Sequence, residues 1–132
     1  MTMRDKPAII VSQWVYLSGA LLILAVPLRW LIAACIGAVA HELFHLLAVR
    51  LAGFSVESIH IGPFGASIRV PGMPRGAELA CVLAGPLGGL LLVMLYRRFP
   101  YVAICACIQS VFNLIPIYPL DGGRVLRCLR EK

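Results

Sequence analysis

The chain has 132 residues, 61% of them hydrophobic and only 14% charged, with a mean hydropathy of +0.91. A water-soluble domain is nearer half apolar and a quarter charged, and a chain this short has no core large enough to hide the surplus. Twelve Lys and Arg against six Asp and Glu sit at the ends of apolar runs, not among aromatics on a polar face, which argues for an integral membrane protein and against a nucleic-acid surface.

The first apolar run, from about Ala8 to Leu28, follows Arg4 and Lys6 and closes at Pro27 and Arg29. It is too long for the apolar region of a signal peptide and no small-x-small site follows before Arg29, so a retained helix is expected. The second run, about Leu31 to Leu51, contains His41-Glu42-Leu43-Phe44-His45. Next come two short stretches, Phe54 to Ile61 and Ala66 to Val70, that alternate or carry β-branched residues. Gly62-Pro63-Phe64-Gly65 separates them, which predicts a hairpin with a loop of about four residues. The third run covers about Glu78 to Tyr96 and ends at Arg97-Arg98. The fourth starts near Tyr101 and stays apolar to Ile115, where Pro116 and Pro119 break any regular helix. The expected fold is mainly α: a polytopic membrane bundle of about four transmembrane helices, with a short β-hairpin between the second and third, in a single domain over residues 1–132.

The five cysteines, Cys35, Cys81, Cys105, Cys107 and Cys128, form no disulfide framework. Four lie in apolar runs, where Cys packs as a small hydrophobe. In the third run, Gly85-Pro86-Leu87-Gly88-Gly89 reads as a close-packing surface with a local kink at Pro86.

Orientation follows from the charged ends. With four spans, Arg4, Lys6, Arg50, Arg69, Arg75, Arg124, Arg127, Arg130 and Lys132 share one side, and Arg29, Arg97 and Arg98 share the other. Both termini are therefore expected in the cytoplasm. His45 then lies roughly 8 Å from the cytoplasmic end of its helix, and Asp121, beyond the returning fourth run, arrives at a similar depth. Two motifs far apart in sequence meet.

Two imidazoles one helical turn apart on the same face, with a carboxylate beside them, are the signature of a metal held for hydrolysis. A chain this short contains His-Glu-x-x-His by chance on the order of a few times in a thousand. His41 and His45 supply two ligands and Glu42 is the expected general base. The third ligand comes from Asp121, His60, Glu57 or Glu78. Asp121 is preferred, because an ionised carboxylate among apolar groups is costly unless a cation pairs with it. Gly122 and Gly123 are expected to let the backbone turn sharply there. His60 is expected at the surface. Two imidazoles, one carboxylate and an open position suit Zn2+ best. Asn113 has two equally weighted roles: an amide that holds the substrate backbone or the developing oxyanion, or a side chain that satisfies carbonyls freed by Pro116.

The set His41-Glu-Leu-Phe-His45, Gly62-Pro-Phe-Gly65, Ala84-Gly-Pro86 and Asn113-Leu-Ile-Pro-Ile-Tyr-Pro-Leu-Asp-Gly-Gly-Arg124 resembles the site-2 family of intramembrane metalloproteases, in its stage IV sporulation protein FB-like branch. The resemblance implies that His41, His45 and Asp121 bind zinc, that Glu42 is the base, and that Asn113 contacts substrate. It also implies a membrane-protein substrate, such as a regulatory factor released to the cytosol. Relatives often continue past the Asp-Gly motif or carry a regulatory domain, and they often place an Asn where this chain has Gly89. Against these relatives the short form reads as a minimal core, as a chain that needs a regulatory membrane partner or self-association, or as a remnant, and the intact ligand set argues against the last.

The leading function is an intramembrane zinc metalloendopeptidase in the cell membrane, cutting near the cytoplasmic face. The alternative is a catalytically inactive protein of the same fold that binds membrane substrates. A metal transporter fits least, since its ligands would spread along a path and here they gather at one depth.

Overall fold

The structure, a computed structural model, describes residues 7–63 and 65–130. Arg4, Lys6 and Lys132 of the charge count, and Phe64 of the Gly-Pro-Phe-Gly segment, lie outside the described residues. The elements in chain order are β1 (Ala8–Val11), α1 (Trp14–Ala25), α2 (Leu28–Leu51), β2 (Ser58–Gly62), β3 (Gly65–Arg69), α3 (Arg75–Leu91) continued by a 3-10 turn (Leu92–Leu95), α4 (Pro100–Asn113) and α5 (Asp121–Arg130).

The first apolar run is not one helix. Its opening residues, Ala8-Ile-Ile-Val11, form a strand parallel to β2, with Ala8 opposite Ser58 and Val11 opposite Ile61. Three consecutive β-branched residues favour the strand, and an unbroken apolar run shows no periodicity that would separate strand from helix. What remains is α1, with 12 residues, about 18 Å long against the ~30 Å of a bilayer core.

The expected hairpin forms with a tighter loop. β2 and β3 pair antiparallel from Ser58–Arg69 to Gly62–Gly65, so Pro63 and Phe64 alone link them. Gly65, at φ +130, takes a conformation that L side chains rarely adopt. The sheet order is β1-β2-β3, so no strand among the described residues covers the outer edge of β3.

Among the described residues, two helices are long and apolar enough to cross a membrane: Leu28–Leu51, with hydropathy 1.8, and Arg75–Leu95, with hydropathy 2.0. α1 and α4 are shorter apolar helices. On α2 the buried residues are Ala33, Gly37, His41, His45 and Val49, a strict four-residue stripe that packs on α3 and α4. Ile32, Ile36, Val39, Leu43 and Leu47 on its other faces are exposed. The histidines point inward and the large aliphatics point outward, the reverse of a helix on a water-soluble core.

Small residues set how closely the helices approach. A Cβ at Gly85 would overlap the His45 ring, one at Gly88 the Phe44 ring, and one at Gly89 the Ser110 hydroxyl. This is the close-packing role expected of the 85–89 segment. At one end of the bundle the Arg29 guanidinium lies 5.5 Å above the Tyr101 ring, and Trp30 meets the same ring edge-on at 4.8 Å.

Candidate metal centre

Two elements supply the cluster, α2 with two side chains and α5 with one. His41 and His45 are four residues apart on the buried stripe of α2, only 4% and 6% exposed. Asp121 opens α5, which the broken segment after α4 folds back under the bundle. The glycines after it work by size and not by turning: both lie in ordinary helix, but a Cβ at Gly122 would strike the carbonyls of Leu114 and Ile115, and one at Gly123 the backbone of Ile117. Their lack of a side chain lets the start of α5 sit against residues 114–117 and carries the carboxylate into the core.

The three side chains converge on one point. Asp121 Oδ2 lies 2.9 Å from His41 Nε2 and 3.1 Å from His45 Nε2, and the two Nε2 atoms are 3.1 Å apart. His45 Nδ1 donates to the Cys81 carbonyl at 2.8 Å, so neutral His45 presents a bare Nε2 lone pair to the cluster. Three donor atoms of the kind that bind divalent metals, within 4.8 Å of one another, form a face that a cation fits and that protons alone satisfy poorly. His41 Nδ1 is buried with no partner among the described residues. Burial by itself raises the Asp121 carboxyl pKa, but its contacts with His41 and His45 outweigh that and hold it at about 2, so the carboxylate is ionised and ready to bind a cation.

Glu42 stands beside the cluster. The β3 backbone N–H of Ala66 donates to its Oε1 at 3.3 Å, while Oε2 is buried with no partner among the described residues. Two clefts meet at this carboxylate. One, of about 350 Å³, runs past His45 along β3 toward Tyr118 and the basic face of α5. The other, of about 240 Å³, is walled by β1, β2 and Asn113 and reaches His41 and Asp121. Asn113 lines the second cleft.

The remaining ligand candidates lie elsewhere. Glu57 and His60 are exposed, with His60 on the wall of the second cleft. Glu78 pairs with Arg127 at 2.8 Å and Arg124 at 3.8 Å, tying α3 to α5. Sequence reasoning missed two supports of the site. The Cys81 carbonyl left no signal in the sequence. Gly85 did leave one, since a Gly-Pro pair facing a metal-type histidine marks a place where bulk is excluded.

No family model matches the chain. It is 30% identical over 111 residues to a zinc metalloprotease of Methanocaldococcus jannaschii, covering 74% of this chain and 33% of that protein. It is 26% identical over 138 residues to stage IV sporulation protein FB of Bacillus subtilis, covering 92% of this chain and 47% of the relative. The chain thus spans about a third to a half of the length of these relatives. Among solved structures it is similar to the site-2 protease from Methanocaldococcus jannaschii, with a TM-score of 0.77 and 24% identity over 98% of this chain and 69% of that one.

Proposed function

Because this chain belongs to the site-2 protease family, we propose that it is the single-domain core of an intramembrane zinc metalloendopeptidase that cuts a transmembrane or membrane-associated regulatory protein near the cytoplasmic face. The observation that carries this reading is the convergence of His41, His45 and Asp121 on one buried point, with Glu42 held beside them by the sheet. His41, His45 and Asp121 would hold a zinc ion as its protein ligands. Zinc bound there supplies a Lewis acid that lowers the pKa of a water to about 7 and polarises a peptide carbonyl. Glu42, with Oε1 tied to Ala66, uses its free Oε2 to accept the proton of the attacking water and pass it to the leaving amine. Asn113 turns its amide to the substrate carbonyl across the second cleft.

The proposed setting is the cell membrane, multi-pass, with both termini cytoplasmic. α2 and α3 cross the bilayer, and the shorter α1 and α4 enter it with local thinning. Arg50, Arg69, Arg75, Arg124 and Arg127 then share the cytoplasmic side, opposite Arg29, Arg97 and Arg98.

Zinc retention depends on how His45 is seated. Gly85→Ala forces the His45 ring off its position, and the affinity for zinc, measured by chelator competition, is expected to fall about 10–100-fold. An unchanged affinity contradicts the proposed role of Gly85.

A helical substrate hides its carbonyls and must unwind to be cut. Its extended form pairs with the outer edge of β3, by β-augmentation. The Ala66 N–H points away from β2 toward Glu42, and alternation along the strand turns the Ile68 N–H to the same side. Ile68→Pro removes that donor and leaves the β2–β3 ladder intact. Turnover of a single-span reporter in proteoliposomes is expected to drop about tenfold or more, from the loss of a hydrogen bond and of edge geometry, with zinc content unchanged. Undiminished turnover rules out pairing on this edge.

A further inference from the structure

The two clefts that meet at Glu42 differ in charge. Beyond Glu42 and Asp121, the smaller one is lined by uncharged groups such as Ile10, Ser12, Ile61 and Asn113, with His60. Beyond Glu42, the larger one is lined by Arg69, Arg124 and Arg127 together with Glu78. Arg127 takes the hydrogen bond to Glu78 Oε1 at 2.8 Å. Arg124 is left 3.8 Å from that same oxygen, with no hydrogen bond among the described residues. Its side chain is only 21% exposed, and the residue lines the cleft. A mostly covered fork of donors beside a carboxylate already engaged elsewhere is a receptor for a second carboxylate.

We infer that Arg124 receives an acidic side chain of the bound peptide, about four residues from the bond that is cut. This deepens the protease reading and rests on it. The spacing comes from β3. Ala66 lies at Glu42, and Val70, the residue that follows β3, lines the same cleft as the arginines, about 13 Å further on at strand rise. A peptide paired along this edge brings its residue opposite Val70 to the arginines, while its other arm lies in the uncharged cleft. The charge difference therefore sets which way the chain threads. An anionic lipid headgroup shares the carboxylate's charge, but the cleft leads from Glu42 and His45 along a strand edge, a surface shaped for a polypeptide.

The test uses the full chain with Glu42→Gln, which blocks turnover, in phosphatidylcholine nanodiscs. Fluorescein-labelled peptides share one extended apolar stretch and carry a single Glu, Gln or Lys at successive positions, and binding is read by anisotropy. At one position the Glu peptide is expected to bind about tenfold tighter than its Gln counterpart. Arg124→Gln removes the preference, and Arg124→Glu transfers it to the Lys peptide. Glu78→Gln, which releases both arginines, raises affinity for the Glu peptide several-fold. A role of Arg124 confined to anchoring α5 through Glu78 predicts no such gain. Equal binding of Glu and Gln peptides, or a Glu preference that survives Arg124→Glu, overturns the inference. So does Arg124-dependent retention of phosphatidylglycerol without any preference among peptides. With Glu42 intact, hydrolysis that ignores the acidic residue overturns this inference alone. An acid preference without zinc or hydrolysis upholds the Arg124 site and overturns the protease reading.

Discussion

Glu42→Gln is expected to lower peptide-bond hydrolysis by roughly 10²–10⁴-fold while the zinc content of the protein stays at the wild-type level. The amide keeps the shape of the side chain and its Oε1 still accepts the Ala66 N–H. What it loses is the second carboxylate oxygen, buried and unpartnered among the described residues, as the acceptor of a proton. The three ligands are untouched, so metal and activity separate. Glu42 is set between the metal-type cluster and a strand edge, where an extended peptide and a water both reach it. The inactive binding protein of the same fold predicts instead that Glu42→Gln has no measurable consequence. Comparing turnover of a membrane reporter with zinc content in the two proteins therefore decides between the readings.

Asp121→Ala is expected to strip the metal. Zinc sites of full ligand count bind with about 10–16 kcal/mol, or about 2.5–4 kcal/mol for each of four ligands. Removing one weakens binding on the order of 10²–10³-fold. The loss is sharpened because Asp121 Oδ2 contacts both His41 and His45, so its removal leaves two buried imidazoles without their anion. Asp121→Asn is the control for shape: it fills the same volume at the start of α5, lacks the charge, and is expected to lose zinc nearly as completely. Metal analysis of detergent-purified variants checks both. Full zinc retention in either one removes Asp121 from the ligand set.

The parts of this site that were legible in the sequence were those where chemistry restricts residue choice. His41, Glu42 and His45 announce themselves by spacing, because one helical turn puts both imidazoles on one face. Asp121 followed from depth and from the cost of a lone carboxylate among apolar groups. Glu78 was a reasonable ligand candidate on the same grounds. Its partners, Arg124 and Arg127, lie some fifty residues away, and in the sequence they spoke only for orientation. The strand Ala8–Val11 was hidden because a fully apolar run has no period, and its partner in β2 supplies what the local sequence lacks. The glycines at 122 and 123 were noticed for the wrong reason. Both have ordinary helical backbone, and the contact that excludes a Cβ comes from residues 114–117, which only the folded chain brings close. The Cys81 carbonyl that orients His45 belongs to the backbone and carries no residue signature.

The central claim is that His41, His45 and Asp121 together hold zinc. X-ray absorption at the zinc edge of the purified full chain tests it most directly. The expected result is about one zinc per chain with only nitrogen and oxygen neighbours at about 2.0–2.2 Å, and loss of that zinc in Asp121→Ala. A shell at about 2.3 Å would assign sulfur, with Cys81 the nearby source, and would contradict the ligand set; so would a folded, metal-replete protein that holds no zinc.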